Sequence, residues 1–92
     1  MIDAVLAEVL AELKRATMKF PTWPTDPLHA LAVLGEEFGE LTKDALQLTY
    51  EPGKTDLDAF RSEAIQVAAM ALRFAMSLEQ YRFIRSDQHS QQ

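Results

Sequence analysis

The chain has no cysteine, only three glycines and four prolines, no surplus of basic side chains and no long apolar run. Without cysteine it can build neither a disulfide framework nor a thiolate metal site, and a cytoplasmic setting is expected. Nine Lys and Arg against fourteen Asp and Glu leave a formal charge of −5, with an isoelectric point near 4.9. That balance speaks against a nucleic-acid partner, which calls for a basic face. No apolar stretch approaches the roughly 20 residues of a membrane span. Asp3 and Glu8 interrupt the basic-then-apolar order of a signal peptide. Neither a membrane partner nor a leader is expected.

What is present points to helices. Hydrophobic residues make up 48% of the 92, too many for a disordered chain and enough for one small domain. Ile2, Leu6, Val9, Leu13 and Ala16 recur at helical spacing, with Asp3 near the start and Lys14, Arg15 and Lys19 near the end. A first helix is predicted over 2–19, stopped by Pro21. Pro21, Trp23, Pro24 and Pro27 then form a stiff, extended connector. Asp26 followed by Pro27 combines a capping carboxylate with proline at the first helical position. A second helix follows over 27–48, with Leu31, Leu34, Phe38, Leu41, Ala45 and Leu48 as its apolar stripe. Gly35 and Gly39, one turn apart, are placed to admit a close neighbouring helix.

Glu51-Pro52-Gly53-Lys54 reads as a turn. Gly53-Lys54-Thr55 is not a phosphate loop, because the motif needs glycine where Leu48 stands. Thr55 with Asp58 forms a capping pair for a third helix that runs to about Arg85. Its run Val67-Ala68-Ala69-Met70-Ala71-Leu72 is apolar on all sides, more than three helices of one small chain can cover. A second copy is the simplest cover, completing a four-helix bundle from antiparallel helices. Residues 1–85 make a single all-α domain and 86–92 a polar, frayed tail.

At about 100° per residue, Glu37, Glu40 and Asp44 share one flank of the second helix, while Glu36 points more to solvent. Glu63 falls inside the third helix's apolar stripe. A carboxylate placed there must be paired, protonated or bound to metal. Pairing with Arg61 or Arg73 is the ordinary structural answer. Oxygen donors without Cys or a nearby His select a hard cation, Mg²⁺ or alternatively Mn²⁺.

Glu36-Glu37-x-x-Glu40, set in Leu-Gly-Glu-Glu-Phe-Gly-Glu-Leu and answered by Glu63-x-x-Gln66, resembles the MazG-like group of all-α nucleoside triphosphate pyrophosphohydrolases. That group's pattern is EExxE followed by ExxD, and the similarity covers roughly residues 28–78. The resemblance implies a helical bundle completed by homo-oligomerisation, as a dimer or tetramer. It implies hydrolysis of a nucleoside triphosphate to the monophosphate and pyrophosphate, as a house-cleaning activity. Carried over by position, it makes Glu37, Glu40, Glu63 and Gln66 metal ligands and Glu36 an auxiliary carboxylate. Glu36 or Glu40 would take the proton from water. Gln66 departs from the group's Asp: its amide oxygen can ligate but adds no charge. Trp23, Lys43 and Arg73 are the candidates to hold substrate, Trp23 by stacking on a base and the cations at phosphate; the alternative for Trp23 is a hydrophobic plug over the end of the bundle. A relative that binds a nucleotide or a protein without turnover is the competing reading, and Gln66 is its support.

Overall fold

The computed structural model describes residues 1–83. Over them the chain is helical, with no strand among the described residues. It comprises α1 (Ile2–Lys19), α2 (Pro27–Tyr50), α3 (Leu57–Met76) and a short 3₁₀ turn (Leu78–Gln80). Expectations for residues 84–92, including the polar tail, lie outside the described residues. No helix of the described residues is long and apolar enough to cross a membrane.

α3 is the central element. It packs against both α1 and α2, whereas the backbones of α1 and α2 do not approach one another. The core holds Val9 and Ala16 of α1 with Ala69 and Met70 of α3; Leu13, Trp23, Leu34, Ile65 and Ala68 pack around it. Small residues dominate, so the helices come close but bury little apolar area, and the stabilisation that scales with that area is correspondingly modest. Leu28, Leu31, Phe38 and Leu46 of α2 remain exposed, as do Leu72 and Met76 of α3. Of the six α2 stripe residues read from sequence, Leu31 and Phe38 are thus exposed, while Leu34, Leu41, Ala45 and Leu48 are half-buried.

The connector behaves as its prolines dictate. Asp26 is extended (φ −80°, ψ 118°), and its carboxylate accepts from the Leu28 N–H at 3.0 Å, with Pro27 opening the helix. α2 runs two residues beyond the expected end before Glu51. Gly53 at φ +101° supplies the left-handed conformation that turns the chain back. The α3 cap is Asp56, whose Oδ1 accepts from the Ala59 N–H at 2.7 Å. The Thr55–Asp58 pairing is thus one residue out of frame: Asp56 is the cap, and it accepts from the amide three residues on, that of Ala59. Among the described residues, nothing beyond α2's own adjacent backbone lies within 4 Å of where a Cβ on Gly35 or Gly39 would stand, so none of the described helices uses the approach they offer.

α3 ends at Met76, not near Arg85. The Ser77 N–H still bonds back to the Arg73 and Phe74 carbonyls, at 3.2 and 3.3 Å. After the 3₁₀ turn, Tyr81 is extended (φ −72°, ψ 139°). The cause is tertiary. The Tyr81 hydroxyl donates to the Phe74 carbonyl at 3.0 Å and accepts from Trp23 Nε1 at 2.8 Å. The Arg82 N–H donates to the Thr25 carbonyl at 2.9 Å. Continuing the helix would forfeit this closure of the connector over the end of α3.

Candidate functional site

Two neighbouring arrangements contain nearly all the residues singled out from sequence. The first is a carboxylate cluster across the α2–α3 contact. The turn folds α3 back along α2, which sets Glu63 opposite the Glu37–Asp44 stretch. Glu63 is half-buried and its Oε2 is fully buried without a hydrogen-bond partner. Burial, followed by the charges of Glu37, Asp44 and Glu40, pushes the Glu63 carboxyl above its ordinary range. Glu37 is raised too, by burial first and then by Glu40, Glu12 and Glu36. The neighbouring charges thus make Glu37 and Glu63 harder to ionise.

The two arginines that might have neutralised Glu63 are spent elsewhere. Arg61 forms a two-pronged pair with Glu8 of α1, one prong at 2.6 Å. Arg73 is buried; its Nη2 donates to the Phe20 and Thr22 carbonyls at 2.6 and 3.2 Å, and its guanidinium lies 5.0 Å from the Trp23 ring. Arg73 therefore anchors the connector from the wall of the cavity described below. Trp23 is equally committed, with Arg73 over its face and Tyr81 on its N–H. It covers the end of the helices and also lines the cavity described below. Lys43 is exposed, and neither of the cavities described here includes it.

The second arrangement is a cavity of about 380 Å³ bounded by α1, the connector, α2 and α3. Glu36, Glu37, Gln66, Trp23 and Arg73 all line it, together with Phe20 and Met70. Glu40 and Glu63 do not, so Glu37 is the residue shared by cluster and cavity. α1 contributes Glu12 and Arg15 to the same wall, and these two pair at 2.5 Å, which holds Glu12 below the ordinary carboxylate range. The sequence reading missed them. Their spacing of three on an exposed face signals only a local ion pair, and nothing in it reveals that α1 turns this face toward α2. A second, shallower cavity of about 450 Å³ lies between α1 and α3 around Arg61 and Ser62.

Among the described residues, no three His, Cys, Asp or Glu side chains are grouped closely enough to hold an ion as they stand. The donor chemistry nevertheless suits a hard divalent cation. All the donors are oxygen, the local charge is strongly negative, and one buried oxygen of Glu63 lacks any partner. Glu37, Glu40, Glu63 and Asp44 are the residues that would hold it.

Comparison with known proteins gives no lead beyond this geometry: no protein-family model, no curated protein and no solved structure matches the chain.

Proposed function

We propose that the chain is a metal-dependent nucleoside triphosphate pyrophosphohydrolase of the MazG-like kind, releasing a nucleoside monophosphate and pyrophosphate. One observation carries the reading. The Glu63 carboxyl is half-buried among Glu37, Glu40 and Asp44, with one oxygen that finds no partner and no basic side chain among the described residues. Burying acidic groups against one another is costly, and proteins rarely sustain that cost for packing alone.

A divalent ion, Mg²⁺ or Mn²⁺, would supply charge neutralisation for the phosphate oxygens and lower the pKa of water. Glu37, Glu63 and Asp44 hold the charge that attracts it, and Glu40 completes the set from the exposed side of α2. In the reaction, water adds across the α–β phosphoanhydride. Its oxygen bonds to phosphorus, the bridging P–O bond breaks, and pyrophosphate leaves with the bonding pair. The water proton passes to Glu36 or Glu40, both exposed and therefore able to release it to solvent. The apolar residues left bare on α2 and α3 support completion of a four-helix bundle by a second copy, with two such pairs giving a tetramer.

The experiment is pyrophosphate release from a panel of ribo- and deoxyribonucleoside triphosphates with Mg²⁺ or Mn²⁺, on wild type and Glu40→Gln. Turnover that Glu40→Gln abolishes is the expected result. No turnover with any nucleotide would reject the enzyme in favour of the second reading, a helical module that binds a nucleotide or a protein without hydrolysis. One feature favours that alternative: Gln66, which lines the cavity, is uncharged where the resembled pattern has Asp.

A further inference from the structure

Two cations line the 380 Å³ cavity beside Glu36 and Glu37: Arg15 of α1 and Arg73 of α3. Their situations differ. Arg73 is 8% exposed, and its Nη2 is tied to the Phe20 and Thr22 carbonyls. It adds positive charge from the wall but cannot advance without releasing the connector. The Arg15 side chain is 56% exposed. Its Nε and Nη2 donate to Glu12 Oε1 and Oε2, at 2.9 and 2.5 Å. A guanidinium carries its N–H donors on two forks, and this pairing occupies the side fork of Nε and Nη2. The end fork, Nη1 with the second Nη2 hydrogen, makes no hydrogen bond among the described residues. Arg61 is the contrast, since it grips Glu8 through Nη1 and Nη2, the end fork itself.

We infer that Arg15 is a substrate-binding residue whose end fork takes two oxygens of the phosphate chain while Glu12 holds its other side. A planar fork matches a pair of phosphate oxygens and, unlike an ammonium, fixes their orientation. Arg15 holds the phosphate without giving up Glu12, which its charge keeps ionised. Glu37 belongs to both the cavity and the carboxylate cluster. Phosphate held by Arg15 therefore lies in the cavity that Glu36 and Glu37 share, beside the groups proposed for water and metal. An exposed pair three residues apart on one helix adds little to stability, so the fold does not depend on Arg15. The inference rests on the triphosphate reading above, but its test reads binding and needs no turnover.

Three carboxylates on the cavity wall, Glu12, Glu36 and Glu37, outnumber the two guanidiniums, so the probe is inorganic tripolyphosphate with excess Mg²⁺. It is titrated by calorimetry into the full chain, as wild type, Arg15→Gln and Arg15→Lys. Arg15→Gln should weaken binding about tenfold or more, the loss expected when charge-assisted hydrogen bonds to phosphate are removed. Arg15→Lys keeps the charge but not the fork, and should recover only part of that loss. It also stands in should Arg15→Gln fail to fold. No binding by the wild type, an Arg15→Gln affinity within about twofold of wild type, or full affinity in Arg15→Lys overturns the inference. Pyrophosphate release whose KM is the same in Arg15→Gln leaves the enzyme standing and removes Arg15 from it. Tripolyphosphate binding that depends on Arg15, without turnover of any nucleotide, does the reverse.

Discussion

Glu63 is the residue on which the chemistry turns, and its titration has a direction that can be worked out. Its carboxyl is raised above the ordinary value of 4.5 in the folded chain. Below that value both folded and unfolded chains carry the proton, and Glu63 costs nothing. As pH climbs through the folded value, the native state binds more protons than the unfolded one, so stability falls. Glu63→Gln should therefore raise the melting temperature at pH 7 and change it little at pH 4. A gain of equal size at both pH values would mean that charge is not the cause. Tyr81 makes a second prediction at this scale. Tyr81→Phe removes both of its hydroxyl's hydrogen bonds while keeping the ring against Phe74, 5.1 Å between centroids. It should cost about 1–2 kcal/mol by denaturant unfolding and alter the emission of Trp23; an unchanged midpoint would show the hydroxyl to be dispensable. Glu63 inside an apolar stripe was legible in the sequence. A plug role for Trp23 was legible as well, but the partners that fix Trp23 and Arg73 were not, because they lie far along the chain, Tyr81 for one and the Phe20 and Thr22 carbonyls for the other.

At the scale of elements, the sequence was most informative where local chemistry decides. The α1 span, the Asp26–Pro27 start and the Gly53 turn follow from periodicity, capping and backbone freedom. The α3 boundaries expose the limits of such reasoning. At its start Thr55 and Asp56 are adjacent capping residues, and it is the Asp56 carboxylate, 2.7 Å from the Ala59 amide, that caps the helix. Asp56→Ala should cost about 1 kcal/mol, whereas Thr55→Ala should be nearly silent; the opposite ranking in a denaturant titration would restore the Thr55 frame. At its end no glycine or proline warns that the helix stops, since the stop is imposed by Tyr81 docking on Trp23 and Phe74. The cavity was illegible for the same reason. Glu12 and Arg15 look like any solvated pair until α1 is placed opposite α2.

On the scale of the whole molecule, an envelope of 56 × 29 × 24 Å encloses a core of mostly small side chains, while large apolar ones stay outside. Exposed patches of this kind usually mark an interface. Size-exclusion chromatography with light scattering should return a mass of two or four chains, and a stable monomer at micromolar concentration would contradict the bundle. Leu28, Leu31, Phe38 and Leu46 carry one more consequence. If another copy covers them, part of the free energy that keeps each chain folded is borrowed from its neighbour and obeys mass action. Diluting the protein would then lower its unfolding temperature, and a scan repeated over a hundredfold range of concentration would trace a slope where a self-sufficient fold gives a flat line.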